Sequence, residues 1–149
     1  MKKKYFLVRV LFIYLFFISN GFAAKSNYFD KGKILFDKQK FEKSKIFFEK
    51  DIVFNPQSEK SYLYLAKIFN QNDNDQEQEI NLKNVLLLNP QNDEAIYMLT
   101  LLKIKQSDYN EAKKLVEKFS LVCVSFCSKK EEIEEKIDKL EPENARDNN

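Results

Sequence analysis

Histidine and tryptophan are absent from this 149-residue chain, and glycine (2), cysteine (2) and proline (3) are scarce. Each shortage excludes something. Without histidine the chain lacks the commonest general base at neutral pH and the commonest transition-metal ligand, so no cofactor or metal site is expected. A serine or cysteine nucleophile would need a lysine or carboxylate base, and no nucleophile motif surrounds any serine. Gly21 and Gly32 cannot build a phosphate-binding loop between them. An enzyme is not expected. So few helix breakers suit long helices joined by short turns.

Excess charge of one sign is also lacking. The chain has 25 basic and 23 acidic residues. Four of the basic ones, Lys2, Lys3, Lys4 and Arg9, and none of the acidic ones fall in residues 1–23, which leaves 21 against 23, or −2, for the remainder. No nucleic-acid footprint is present. The lysines between Lys31 and Lys50 alternate with Asp37, Glu42 and Glu49, the pattern of a solvated helix face.

The first two dozen residues carry a targeting signal. A basic start (Lys2 to Lys4), an apolar run through Val10–Ile18 and the small-residue exit Gly21-Phe22-Ala23-Ala24 have the layout of a secretory signal peptide, with cleavage expected between Ala23 and Ala24. The rival reading is an inner-membrane anchor, because residues 5–24 are about the ~20 needed to cross a bilayer. Arg9 inside the run and the small-residue exit favour cleavage, and with it a periplasmic location in a bacterial envelope.

Two dipeptides, Asn55-Pro56 and Asn89-Pro90, stand 34 residues apart. Tyr28, Gly32, Phe41, Ser44, Phe48 and Ile52 precede the first proline. Tyr62, Ala66, Leu82 and Leu86 repeat the positions of Tyr28, Gly32, Phe48 and Ile52 before the second. A third unit continues the frame with Ile96, Leu99, Thr100, Tyr109, Ala112 and Val116, without a closing proline. Apolar residues at spacings of three and four fill the space between helices. Small ones (Gly32, Ser44, Ala66, Thr100, Ala112) recur where two helices approach. Seven helices are expected, at about 27–38, 41–54, 58–71, 75–88, 93–105, 108–121 and 129–140, with ends uncertain by ~2–4 residues. Asp75 with Gln78 and Asp108 with Glu111 have capping-box spacing, and Asn92 stands as an N-cap.

A period of 34 with these residues resembles the tetratricopeptide repeat (TPR) family, over about residues 26–122. The resemblance implies an all-α, right-handed α-solenoid: units of about 25–58, 59–92 and 93–126, with the repeat domain spanning 24–122. It further implies a protein–protein interaction scaffold whose partner is a protein or peptide. Asp73, Asp75 and Gln78 replace the glycine, aromatic and alanine that the family favours, so the second unit's turn, Asn70 to Asn74, is expected to be loose and mobile. In the family the first helices of successive units line a concave groove. Carried over, the groove positions are Phe29, Lys33, Phe36, Leu63, Lys67, Asn70, Tyr97, Leu101 and Ile104. This set does not reproduce the Lys/Asn/Arg clamp with which some members hold acidic C-termini. It is mixed apolar and basic, which suits an amphipathic segment bearing acidic residues, although Phe36, Tyr97 and Leu101 also read as core.

Beyond the repeat, residues 123–141 form a bend and a last helix. Ser128 with Glu131 has capping-box spacing, and Ile133, Ile137 and Leu140 make one apolar stripe that suits a cap over the open end of the solenoid. Residues 142–149 read as a disordered tail. Cys123 and Cys127, an even pair in an exported chain, read as a disulfide fixing that bend. Redox-active thiols are the alternative, and the usual two-residue spacing is missing. A structural subunit of an envelope assembly, or a homo-oligomer, is the remaining function class.

Overall fold

A computed structural model describes residues 27–140. The expectations for the N-terminal signal and for the tail after residue 140 lie outside them. Seven α-helices follow one another: α1 (Tyr28–Asp37), α2 (Phe41–Phe54), α3 (Glu59–Gln71), α4 (Asp75–Leu88), α5 (Asp93–Lys105), α6 (Tyr109–Val122) and, after a 3-10 turn at Cys127–Lys129, α7 (Lys130–Leu140). No strand occurs among the described residues. Connectors of three or four residues make the first six helices antiparallel to their neighbours, giving three helix–turn–helix units, and a longer bend leads to the closing helix, as the repeat predicts.

The caps follow the sequence with two shifts. Asp108 accepts from the Glu111 N–H and Asn92 from the Ala95 N–H. In α4 the cap is Asn74, which accepts from the Glu77 N–H, so Asp75 is the first helical residue rather than the cap. Ser128 falls inside the 3-10 turn instead of capping α7.

The second unit's turn is not looser than the others. Gln39, Asp73 and Ser107, spaced 34 apart, are the three non-glycine residues with positive φ among those described, at 56°, 52° and 61°. Each turn closes with the same pair of bonds, one N–H reaching back five residues and one three: Lys40 to Leu35 and Gln39 to Phe36, Asn74 to Phe69 and Asp73 to Asn70, Asp108 to Lys103 and Ser107 to Ile104. This is the Schellman arrangement, which needs a left-handed residue but not necessarily glycine. Lys105 further ties Asp73 (3.2 Å) and Asp75 (2.7 Å) from the next unit.

Small residues sit where the spacing placed them. A Cβ on Gly32 would lie 2.7 Å from the Phe48 ring, and Ser44 donates to the Gly32 carbonyl at 2.8 Å. Ser44, Ala66, Thr100 and Ala112 are fully buried. One apolar cluster runs from Ala66, Leu82 and Val85 through Leu99 and Phe119 to Ile133 and Ile137 of α7. A second gathers Phe48, Leu65, Ile68 and Phe69 in the first half. Leu140, the third member of the stripe expected on α7, is exposed. The cap covers the end of the array with two isoleucines.

Candidate functional site

The first helices of the three units, α1, α3 and α5, present a shared face. Its floor is aromatic. Tyr64 stands at the centre, edge-on to Phe29 (5.7 Å between centroids) and Phe36 (4.9 Å) and stacked on Phe48 (5.0 Å). Two lysines lie over the rings: Lys67 Nζ is 5.0 Å from the Tyr64 centroid, and Lys60 Nζ is 6.0 Å from that of Phe29. A cation over an aromatic face contributes about 0.5–1 kcal/mol at such part-exposed positions. The rings thus fix the ammonium groups along the rim of an apolar strip.

Charge on this face is largely compensated. Lys67 pairs with Glu94 of the next unit at 2.7 Å, both about one-quarter exposed, and Lys33 pairs with Asp37 at 2.7 Å. The surface alternates sign rather than forming the basic strip that the lysines alone suggest. Farther along, Asn70, Met98, Leu101 and Lys105 line a cleft of about 180 Å³ with Gln78 and Leu102 beneath.

Of the nine predicted groove residues, Phe29, Lys33, Phe36, Lys67, Asn70 and Leu101 line this face or its cleft. Leu63 and Ile104 share the same helix stripes, one turn from Lys67 and Leu101, but are buried in the core cluster and offer the face little surface. Tyr97 is taken up by the closing helix: its hydroxyl donates to Glu132 of α7 at 3.2 Å and its ring packs 5.8 Å from Phe126. Burial and the Glu132 carboxylate push its hydroxyl pKa up. The sequence reading missed Lys60, Tyr64, Glu94 and Met98. The signal was available in the frame, because Lys60 and Glu94, like Tyr64 and Met98, are 34 apart; Tyr64 and Met98 lie one residue, and Lys60 and Glu94 three residues, from a chosen one.

Among the solved structures that resemble the chain are two TPR domains. The first TPR of Spaghetti (RPAP3), bound to the HSP90 peptide SRMEEVD, superposes with a TM-score of 0.71 over 82% of this chain and 100% of its own, at 16% identity. The fold is that of a TPR domain. The second TPR domain of human RPAP3, in complex with the HSP70 peptide SGPTIEEVD, gives a TM-score of 0.65 at 17% identity, over 78% of this chain and 94% of its own. No protein-family model matches the sequence, and no curated protein does. Within the TPR fold the aromatic face belongs to the helices expected to line the groove.

Two polar sites distinguish this chain from the repeat pattern. Asp51, on α2, is buried, and its Oδ2 accepts from Ser58 (2.5 Å) and Ser61 (2.6 Å) at the start of α3. There its charge complements the helix N-terminus. At the third junction, where no proline occurs, Cys123 and Cys127 are paired with alpha carbons 5.2 Å apart. The loop they close points the N–H groups of Val124 (2.8 Å), Ser125 (2.6 Å) and Phe126 (3.1 Å) at Asp93 Oδ2 on α5. Burial acts to raise the Asp93 pKa, but these donors and the Glu94 N–H outweigh it and hold the carboxyl below its ordinary value.

Proposed function

We propose that the protein is an exported scaffold that binds a segment of another protein along the face formed by Phe29, Lys60, Tyr64 and Lys67. The observation that carries this reading is the strip of aromatic rings on the first helices of a TPR fold, with Lys60 and the partly exposed Lys67 held over two of them. The two similar structures hold peptides, which supports a peptide-like partner. Because the lysines alternate with Glu94 and Asp37, the proposed ligand is an internal amphipathic segment with a few acidic residues rather than an acidic C-terminus. The basic start and apolar run of residues 1–23 support export, and the Cys123–Cys127 pairing fits an oxidising compartment. In this reading the cysteines are structural.

The test is site-specific photocrosslinking in the native envelope with the crosslinker at Lys60, followed by direct titration of the captured segment. Lys60→Glu and Lys33→Glu are expected to weaken binding at least about tenfold while leaving the melting temperature within the range of neutral surface changes. Unchanged affinity in both variants would place the binding face elsewhere.

A further inference from the structure

The two ends of the helix array differ in kind. Because the helices alternate in direction, the N-termini of α1, α3 and α5 and the C-termini of α2, α4 and α6 share one end. Tyr28, the first helical residue, stacks on Phe54, the last residue of α2, at 5.4 Å. Glu59 accepts from Asn89 at 3.1 Å, and Asp93 from the 124–126 loop. The three junctions at this end, residues 52–58, 84–92 and 119–128, contain no charged residue, although 32% of the chain is charged. The opposite end carries Asp37, Lys38, Lys40, Asp73, Asp75, Lys103, Lys105 and Asp108 in its turns.

The end with the uncharged junctions also exposes an apolar ladder. Val53, Leu87 and Leu121 are 34 residues apart and 75, 79 and 86% exposed, and Phe54 and Val124 are exposed beside them. Leaving so much branched and aromatic surface in water is costly, at roughly 25 cal/mol per Å², and the periodicity sets the side chains in a row. The chain reaches the same end from residues 1–26. The apolar run of residues 5–24 stops four residues before Tyr28, a tether of at most about 14 Å. A 14-residue helix is about 21 Å long, so the charged turns at the far end lie beyond that reach.

We propose that this end of the protein rests on a lipid bilayer, with Val53, Phe54, Leu87, Leu121 and Val124 seated among the lipid headgroups and upper acyl chains and with residues 5–24 retained as the anchor, the rival of the cleavage that Arg9 and the small-residue exit favour. The short tether holds the ladder at the surface, and junctions without charge spare part of the desolvation that such a position would otherwise cost. The aromatic face of α1, α3 and α5 then runs up from the membrane, open to a partner. The proposal does not depend on that face binding a peptide.

The absence of tryptophan makes the test direct. Full-length Leu87→Trp, Leu121→Trp and, as a third ladder position, Val53→Trp are reconstituted in phosphatidylcholine vesicles, each as a single fluorophore. Gln76→Trp, at the charged end, is the control. Brominated acyl chains are expected to quench the ladder tryptophans by about half or more and to leave Gln76→Trp unchanged. Equal quenching at both ends, or none at the ladder, overturns the proposal. So does a mature cellular N-terminus beginning at Ala24, or a ladder emission that shifts to the blue with protein concentration when lipid is omitted, which would assign the row to a second copy of the chain.

Discussion

Ala112 has no room to grow. It is fully buried in α6, where α6 meets α5, and a larger side chain must push the pair apart. Overpacking of this kind costs about 1–3 kcal/mol, so Ala112→Leu is expected to lower the melting temperature, as read by circular dichroism. Lys67 behaves differently from an ordinary surface lysine because Glu94 is its partner at 2.7 Å. Lys67→Glu sets two carboxylates together and is expected to cost about 1 kcal/mol, whereas Lys60→Glu costs nothing measurable in urea unfolding. Ser107 sits at φ 61° in an exposed turn. Relieving a left-handed residue with glycine is worth up to about 1 kcal/mol against the entropy glycine adds to the unfolded chain. Ser107→Gly should raise the melting temperature slightly, and a decrease would mean that the hydroxyl has a role in the turn.

At the scale of elements, most helix limits were legible because they depend on local chemistry. Asn92 and Asp108 declare their helices by capping, and Asn55-Pro56 and Asn89-Pro90 stop theirs. The rotation of each helix about its axis was less legible. Adjacent residues differ by about 100° around an α-helix, so Leu63 and Tyr64 fall on either side of the stripe that Lys60 and Lys67 mark. Only packing against the neighbouring helices decides that Leu63 is buried and Tyr64 partly open. Asp51 was missed for a related reason: its partners, Ser58 and Ser61, are satisfied across a helix junction, and nothing in the local sequence marks a buried carboxylate. The Cys123–Cys127 loop joins two elements in one device, since it both closes the third unit and cradles Asp93. Reduction is expected to destabilise by about 2 kcal/mol in the chain-entropy model. Asp93→Asn in the oxidised protein should reproduce part of the same loss, because it weakens the acceptor of the three loop N–H groups. Denaturant midpoints with and without reductant check both, and equal midpoints would show that the loop holds its shape without the bond.

For the molecule as a whole, acid sensitivity follows from carboxylates held in cross-element networks. Hydrogen bonds from Lys83 and then Lys103 draw the Glu79 pKa down to about 2, and those from Lys129 and then Lys136 do the same for Glu132. Asp93 moves in the same direction. A carboxyl whose folded pKa is depressed contributes stability above its unfolded value, near 4–4.5, and loses it as pH falls towards the folded value. The urea midpoint is therefore expected to be level from pH 7 to about 5 and to fall between about pH 4.5 and 2, and a midpoint that held steady to pH 2 would contradict these networks.

Many of the bonds between separate elements are of nearly the same reach along the chain. Glu59 meets Asn89, Asp73 meets Lys105, Glu79 meets Gln106, Asp93 meets Val124 and Tyr97 meets Glu132. Each spans about one repeat. Forming them requires closing only loops of some thirty residues, and a loop's entropy rises slowly with its length. A chain wired this way has low contact order, so it can start to fold from any unit and spread by neighbour contacts. Its first two units can be paired while the third is still emerging from the ribosome, and the closing helix, with Ile133 and Ile137, is the last piece whose docking site becomes complete.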